Sequence, residues 1–114
     1  DLDQVLDYRV TFTIPKGERH NYAQFEALTG YMPAEFEQFW KLNPQTGQLQ
    51  PLDDGPGEQK DPVILSTKDG AYAMGVAAGD YSFQMFVAIG TLDDVKQDLL
   101  TLMKLKQSNR LRSR

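Results

Sequence analysis

Between Leu42 and Ile89 the chain never runs far without a turn signal, so its apolar stretches are too short for helices and the right length for strands. The sequence Leu42-Asn43-Pro44-Gln45-Thr46-Gly47-Gln48-Leu49 reads as a hairpin loop. Asparagine and proline open a tight turn, and Gly47 supplies the positive φ that closes it. Lys68-Asp69-Gly70 is a second hairpin turn, with Asp-Gly at its centre. Gly55-Pro56-Gly57 marks a polar loop over residues 53–61, and residues 77–80 turn once more. The punctuation leaves predicted strands at 39–42, 48–52, 63–67, 72–76 and 82–89.

The region before Leu42 is less sharply divided. Tyr8, Val10, Phe12 and Ile14 alternate with Arg9, Thr11 and Thr13, which predicts a half-buried strand over 8–14 that ends at Pro15. Leu2, Val5 and Leu6 precede it in a lead-in strand or a short helical turn. Residues 20–28 alternate more weakly and are read as a strand. Residues 33–40 fit a helical turn opened by Pro33, and fit a strand through Phe36, Gln38 and Trp40. The helical choice would make the domain α+β.

One helix is clear. Thr91 is an N-cap residue with Asp94 three positions later, and Leu92, Val95, Leu99, Leu102 and Met103 form an apolar stripe at helical spacing. The expected fold is therefore all-β: an antiparallel β-sandwich or curved sheet of six to seven strands, with one C-terminal helix, 92–106, packed on it. A chain of 114 residues supports a single domain over 1–106. Residues 107–114 are expected to form a basic, disordered tail.

Charge is uneven. Five of the twelve basic side chains, Lys104, Lys106, Arg110, Arg112 and Arg114, lie in the last eleven positions, where no acid occurs, although the whole chain carries a net charge of −4. An acidic body and a tail without interleaved aromatics argue against nucleic acid as the partner. There is no stretch apolar enough to cross a bilayer as a helix. Asp1 in place of an initiator methionine suggests a processed chain or a piece of a longer one, and no targeting segment is visible. The lack of cysteine excludes thiol nucleophiles, disulfides and cysteine-ligated metals, and fits a reducing or an oxidising compartment equally.

His20 is the only histidine. Beside a Lys-Gly-Glu-Arg turn its ordinary place is an exposed loop; its functional reading is an acid–base group near Glu26 and Tyr22. Glu26 falls among Phe25, Ala27 and Leu28, and Glu58 sits in the glycine-rich loop where a ligand can approach the backbone. The acids Asp53, Asp54, Glu58 and Asp61 lack the alternation of an EF-hand, so no metal and no cofactor are expected.

Six of the twelve aromatics, Tyr22, Phe25, Tyr31, Phe36, Phe39 and Trp40, fall within nineteen residues. Core packing accounts for most such clusters, but rings on a β-scaffold also stack on sugars. The leading expectation is a small-molecule, carbohydrate-binding β-domain with Tyr22, Tyr31 and Trp40 as its platform. His20, Glu26 and Glu58 would be the polar partners. Two alternatives come from other classes. One is an acid–base isomerase or lyase acting on a sugar through His20 and Glu26. The other is a protein-interaction domain, such as a homodimer formed through exposed aromatics or an edge strand.

Overall fold

The turn chemistry closes as the sequence dictates. In this computed structural model, which describes residues 2–11, 13–22, 30–53, 55, 57–79 and 84–112 (side chains to 106), Gly47 and Gly70 take φ of 75° and 72°. Asn43 accepts the Gln45 and Thr46 amides through Oδ1 at 2.9 and 3.1 Å, and the Gly47 amide through its carbonyl at 2.8 Å. At the second turn, Asp69 Oδ1 accepts the Ala71 amide at 3.0 Å and the Thr67 hydroxyl at 2.8 Å. These side chains do the work of backbone partners, and so fix where each hairpin reverses.

Six strands result: β1 (Val5–Arg9), β2 (Gln38–Leu42), β3 (Leu49–Pro51), β4 (Val63–Ser66), β5 (Ala73–Ala78) and β6 (Gln84–Gly90). They form one open antiparallel sheet in the order β1-β6-β5-β4-β2-β3. The described residues thus make a single β-rich sheet and not two packed sheets. The strand expected at 8–14 is shifted to 5–9, because β1 pairs with β6 only from Val5↔Ala88 to Arg9↔Gln84. Residues 20–22 are not in a strand, and 23–29 lie outside the described residues. Residues 33–36 make one turn, with the Phe36 amide donating to the Pro33 carbonyl at 3.0 Å, before β2 begins.

Helix α1 (Leu92–Arg112) follows β6 directly. Its cap is reciprocal: the Asp94 amide donates to Thr91 Oγ1 at 3.1 Å, and the Thr91 amide donates to Asp94 Oδ2 at 3.4 Å. The Leu92 amide also donates to the Gly70 carbonyl at 2.9 Å, tying the helix start to the β4–β5 turn. The helical backbone continues six residues past the expected end at 106. No glycine or proline interrupts 107–112.

The face that α1 covers is set by small residues. Ala73, Gly75 and Ala77 of β5 and Ala88 of β6 point to the helix, and Val95, Leu99 and Leu102 fill the space above them together with Leu42 and Ile64. A Cβ at Gly75 would stand only 2.7 Å from both Leu99 Cδ1 and Val95 Cγ1. The helix backbone therefore sits close to β5 because position 75 has no side chain. Leu99, Val95 and Ile64 lose all their solvent exposure as a result.

The opposite face carries the other half of the alternation. Directly opposed residues share a face, so the register gives rows that run across the sheet. One row is Phe39, Leu65, Met74 and Ile89; the next is Lys41, Val63, Val76, Val87 and Leu6; a third is Ala78, Met85 and Tyr8. Lys41 is the one charge in these rows.

On the helix side, β1 ends in a polar cluster. Gln84 is buried and donates through Nε2 to Asp7 Oδ1 at 2.8 Å, while Arg9 donates to both Asp7 oxygens at 3.0 and 3.2 Å. The Arg9 hydrogen bonds, and then the one from Gln84, hold the Asp7 carboxyl below its ordinary value of 3.8. A depressed folded value means stability that is fully present above the unfolded value and is lost as pH falls through the folded one. Asp7→Asn is accordingly expected to cost stability at neutral pH and to cost progressively less below about pH 4. Urea midpoints of the two proteins across an acid pH series check this; a gap independent of pH would remove the linkage.

Candidate functional site

Three surface depressions share Phe36 in their walls. The Pro33 turn lifts it from the chain just before β2, and its ring is half-buried at the end of the sheet where β5 begins. One of these depressions is an open groove of about 930 Å³, lined by Pro33, Phe36, Tyr72, Glu35, Glu37 and Asp69 among others. Two further hollows, of about 440 and 490 Å³, also have Phe36 in their walls. The first extends to Tyr31, Phe39 and Leu65, and the second runs past Met32 and Tyr72 to Ile89 and Gly90.

Two aromatic rings stand over this region. Tyr31 is 93% exposed and Tyr72 is 68% exposed. Tyr72 is held by the hairpin turn, since its carbonyl accepts the Thr67 amide at 2.9 Å and its amide donates to Thr67 Oγ1 at 3.3 Å. Exposed rings on fixed backbone lose little freedom when a flat ligand stacks on them.

The rim is acidic. Glu35 and Glu37 are exposed beside Phe36, and Lys68 is the one cation lining the large groove. Asp69 is held below the ordinary carboxylate range, first by the Ala71 amide and then by the Thr67 hydroxyl. It is charged at neutral pH and spends those hydrogen bonds on the turn. A groove of this kind offers apolar ring contact along its floor and hydrogen-bond acceptors along its edge. It holds no histidine, and among the described residues no group of three His, Asp or Glu side chains is arranged to hold a metal ion.

The residues singled out from sequence are dispersed. Tyr31 lies at the Phe36 region. Trp40 lies on the helix side of β2, packs against the core and donates through its indole Nε1 to Ser66 Oγ at 3.1 Å. That bond satisfies a serine with no solvent exposure, so the Trp40 ring serves the interior. Tyr22 is exposed in an irregular segment. His20 is exposed and its Nε2 lies 3.5 Å from Glu18 Oε2, while Glu58 is exposed in the loop between β3 and β4. Glu26 lies outside the described residues.

Tyr72 was not among the sequence candidates, because it lies forty residues from the aromatic cluster's centre in another hairpin. Its signal is an aromatic placed two residues after an Asp-Gly turn, in a loop position where binding side chains are common. Among the described residues no helix is long and apolar enough to cross a membrane. Set against known proteins, the chain matches no family model, no curated protein and no solved structure.

Proposed function

We propose that the domain binds a small polyhydroxylated ligand, a sugar, in the groove around Phe36. The reading rests on one observation: two exposed tyrosine rings, Tyr31 and Tyr72, line depressions that share the Phe36 wall, with Glu35 and Glu37 on the groove beside Tyr72 and Glu37 on the hollow beside Tyr31. A pyranose ring has an apolar face for stacking and hydroxyls that donate to carboxylates, which matches apolar floor to apolar face and acceptor to donor.

The test is titration of a panel of mono- and oligosaccharides, followed by thermal midpoint and by tyrosine chemical shifts. A sugar that binds the folded state raises the midpoint by mass action. Tyr31→Ala and Tyr72→Ala should each weaken binding by roughly tenfold, as expected for loss of a stacked ring. The unliganded midpoint should hold, since both side chains are largely exposed. A flat response across the panel at millimolar sugar would end the reading. So would full affinity in both variants.

A second reading is supported by a separate observation. The apolar rows on the sheet face opposite α1 suit a domain that associates with a second copy of itself.

A further inference from the structure

At the opposite end of β4 from the Phe36 groove, a hollow of about 520 Å³ forms where three segments meet. Pro44 and Gln45 come from the β2–β3 turn, Lys60, Asp61 and Pro62 from the residues leading into β4, and Met103, Lys104 and Lys106 from α1. Backbone and turn bonds fix two of these walls. Asn43 holds the β2–β3 turn through its side chain, and the Leu42 amide donates to the Pro62 carbonyl at 2.9 Å. On the helix wall, a rotation of about 100° per residue sets Met103 between Lys104 on one side and Lys106 on the other.

Three of the chain's seven lysines thus line one concavity, in a chain whose net charge is −4. Asp61 is the one carboxylate in its lining, and among the described residues it is in no ion pair with any of the three. Three ammonium groups against one carboxylate leave a surplus of two positive charges at neutral pH. Lys106 is also set in place: it is half-buried, and its Nζ donates to the Ala78 carbonyl at 3.2 Å. An ammonium has three hydrogens, so two remain for another acceptor. Lys60 and Lys104 are exposed and complete the ring of charge from the other walls. A concave wall of one sign concentrates counter-ions more strongly than the same charges spread over a convex surface.

We infer that this hollow binds a phosphate dianion, free or at the end of a small molecule. A phosphate monoester carries about −1.5 to −2 charges at neutral pH, which matches the surplus, whereas a single carboxylate leaves half of it unanswered. Its three terminal oxygens accept from separate directions, and three lysines on separate walls act as point charges that approach from separate directions. The side-chain amide of Gln45 adds a neutral donor. Pro44, Pro62 and Met103 give apolar surface beside the charges, against which the carbon part of a phosphorylated molecule can rest. Asp61 and the acidic chain around the hollow oppose a longer polyanion such as nucleic acid. The inference is independent of the sugar reading, because the two depressions share no residue.

The experiment titrates the intact, isotope-labelled chain with inorganic phosphate and, separately, with glycerol phosphate. Backbone amide shifts are followed at an ionic strength held constant with chloride, so that general screening does not change. Saturable shifts are expected at Gln45, Lys60, Asp61 and residues 103–106. Lys60→Gln and Lys104→Gln should each weaken binding by at least roughly fivefold, and both should keep the parent's circular dichroism because both side chains are exposed. Lys96→Gln, on α1 but outside the hollow, should leave the affinity within roughly twofold. Asp61→Asn should tighten binding, since it raises the positive surplus. Equal affinity for the two probes assigns the hollow to free phosphate, and tighter binding of the ester assigns it to a phosphorylated small molecule. Shifts that do not saturate, that survive both Lys60→Gln and Lys104→Gln, or that weaken equally in Lys96→Gln report diffuse screening and overturn the site. Weaker binding in a folded Asp61→Asn chain overturns the charge matching on which it rests.

Discussion

Gly75→Val is expected to lower folding stability by about 3 kcal/mol, the upper part of the range for forcing extra atoms into a packed core. The first added carbon already meets Leu99 Cδ1 and Val95 Cγ1 at 2.7 Å, and Ile64 Cγ1 at 3.2 Å. None of the three has solvent to move into, since all are fully buried. Relief has to come from lifting α1 away from β5, which opens the core that Leu42 and Ala77 help to close. Valine is chosen over alanine because its branched side chain adds volume in the same direction and leaves no rotamer that avoids the helix. Urea unfolding monitored by circular dichroism gives the value directly. A loss below about 0.5 kcal/mol, the range of ordinary surface changes, would mean that α1 does not rest on β5 at this point.

Leu99→Ala should cost about 4 kcal/mol, because it removes a fully buried side chain from the middle of the helix–sheet contact and leaves a cavity that β5 cannot collapse into. The two positions are also coupled through one contact. In Leu99→Ala one of the two atoms that block a Cβ at position 75 is gone, Val95 Cγ1 remaining, so Gly75→Ala introduced on that background should be less harmful than on the parent. The double variant is expected to be more stable than additivity predicts by roughly 1 kcal/mol. Additive values would place Gly75 and Leu99 out of contact and remove the close approach as the reason for glycine.

Where local chemistry decides a structure, the sequence was enough to read it. The Asn43 turn, the Asp69-Gly70 turn and the Thr91–Asp94 cap each depend on groups within four residues, and all three form with the expected partners. The register of β1 depends on a partner far along the chain. The alternation from Tyr8 to Ile14 is real in the sequence, yet β1 pairs over Val5–Arg9 because that is what lies beside β6. The same distinction separates the candidate site residues. Tyr31 and Trp40 both border segments marked by proline or glycine, and both looked equally able to stack on a ligand. Trp40 is committed to the interior by its cross-strand neighbour Ile64, which faces the core, and a one-residue slip would have turned the ring outward. Tyr72 joins the Phe36 region through pairing between β4 and β5, which no spacing along the chain expresses.

The strand order has a consequence for how such a chain acquires its fold. Strands β4, β5 and β6 and helix α1 are consecutive, joined by short connections, and make all of the core but Leu42 of β2. Strand β1 is placed on the far side of β6, so Asp7 and Gln84 meet across 77 positions of sequence. Closing that loop before any other pairing forms would cost chain entropy with little return. The economical route nucleates on the contiguous unit and adds β1 last, onto an edge that β6 already presents. On a ribosome, β1 emerges before the rest of the sheet and would then wait, unpaired, until β6 had emerged. Its early exposure is a reason for an edge strand to carry Asp7 and Arg9 among its apolar residues, because charges on a waiting strand discourage pairing with the wrong neighbour.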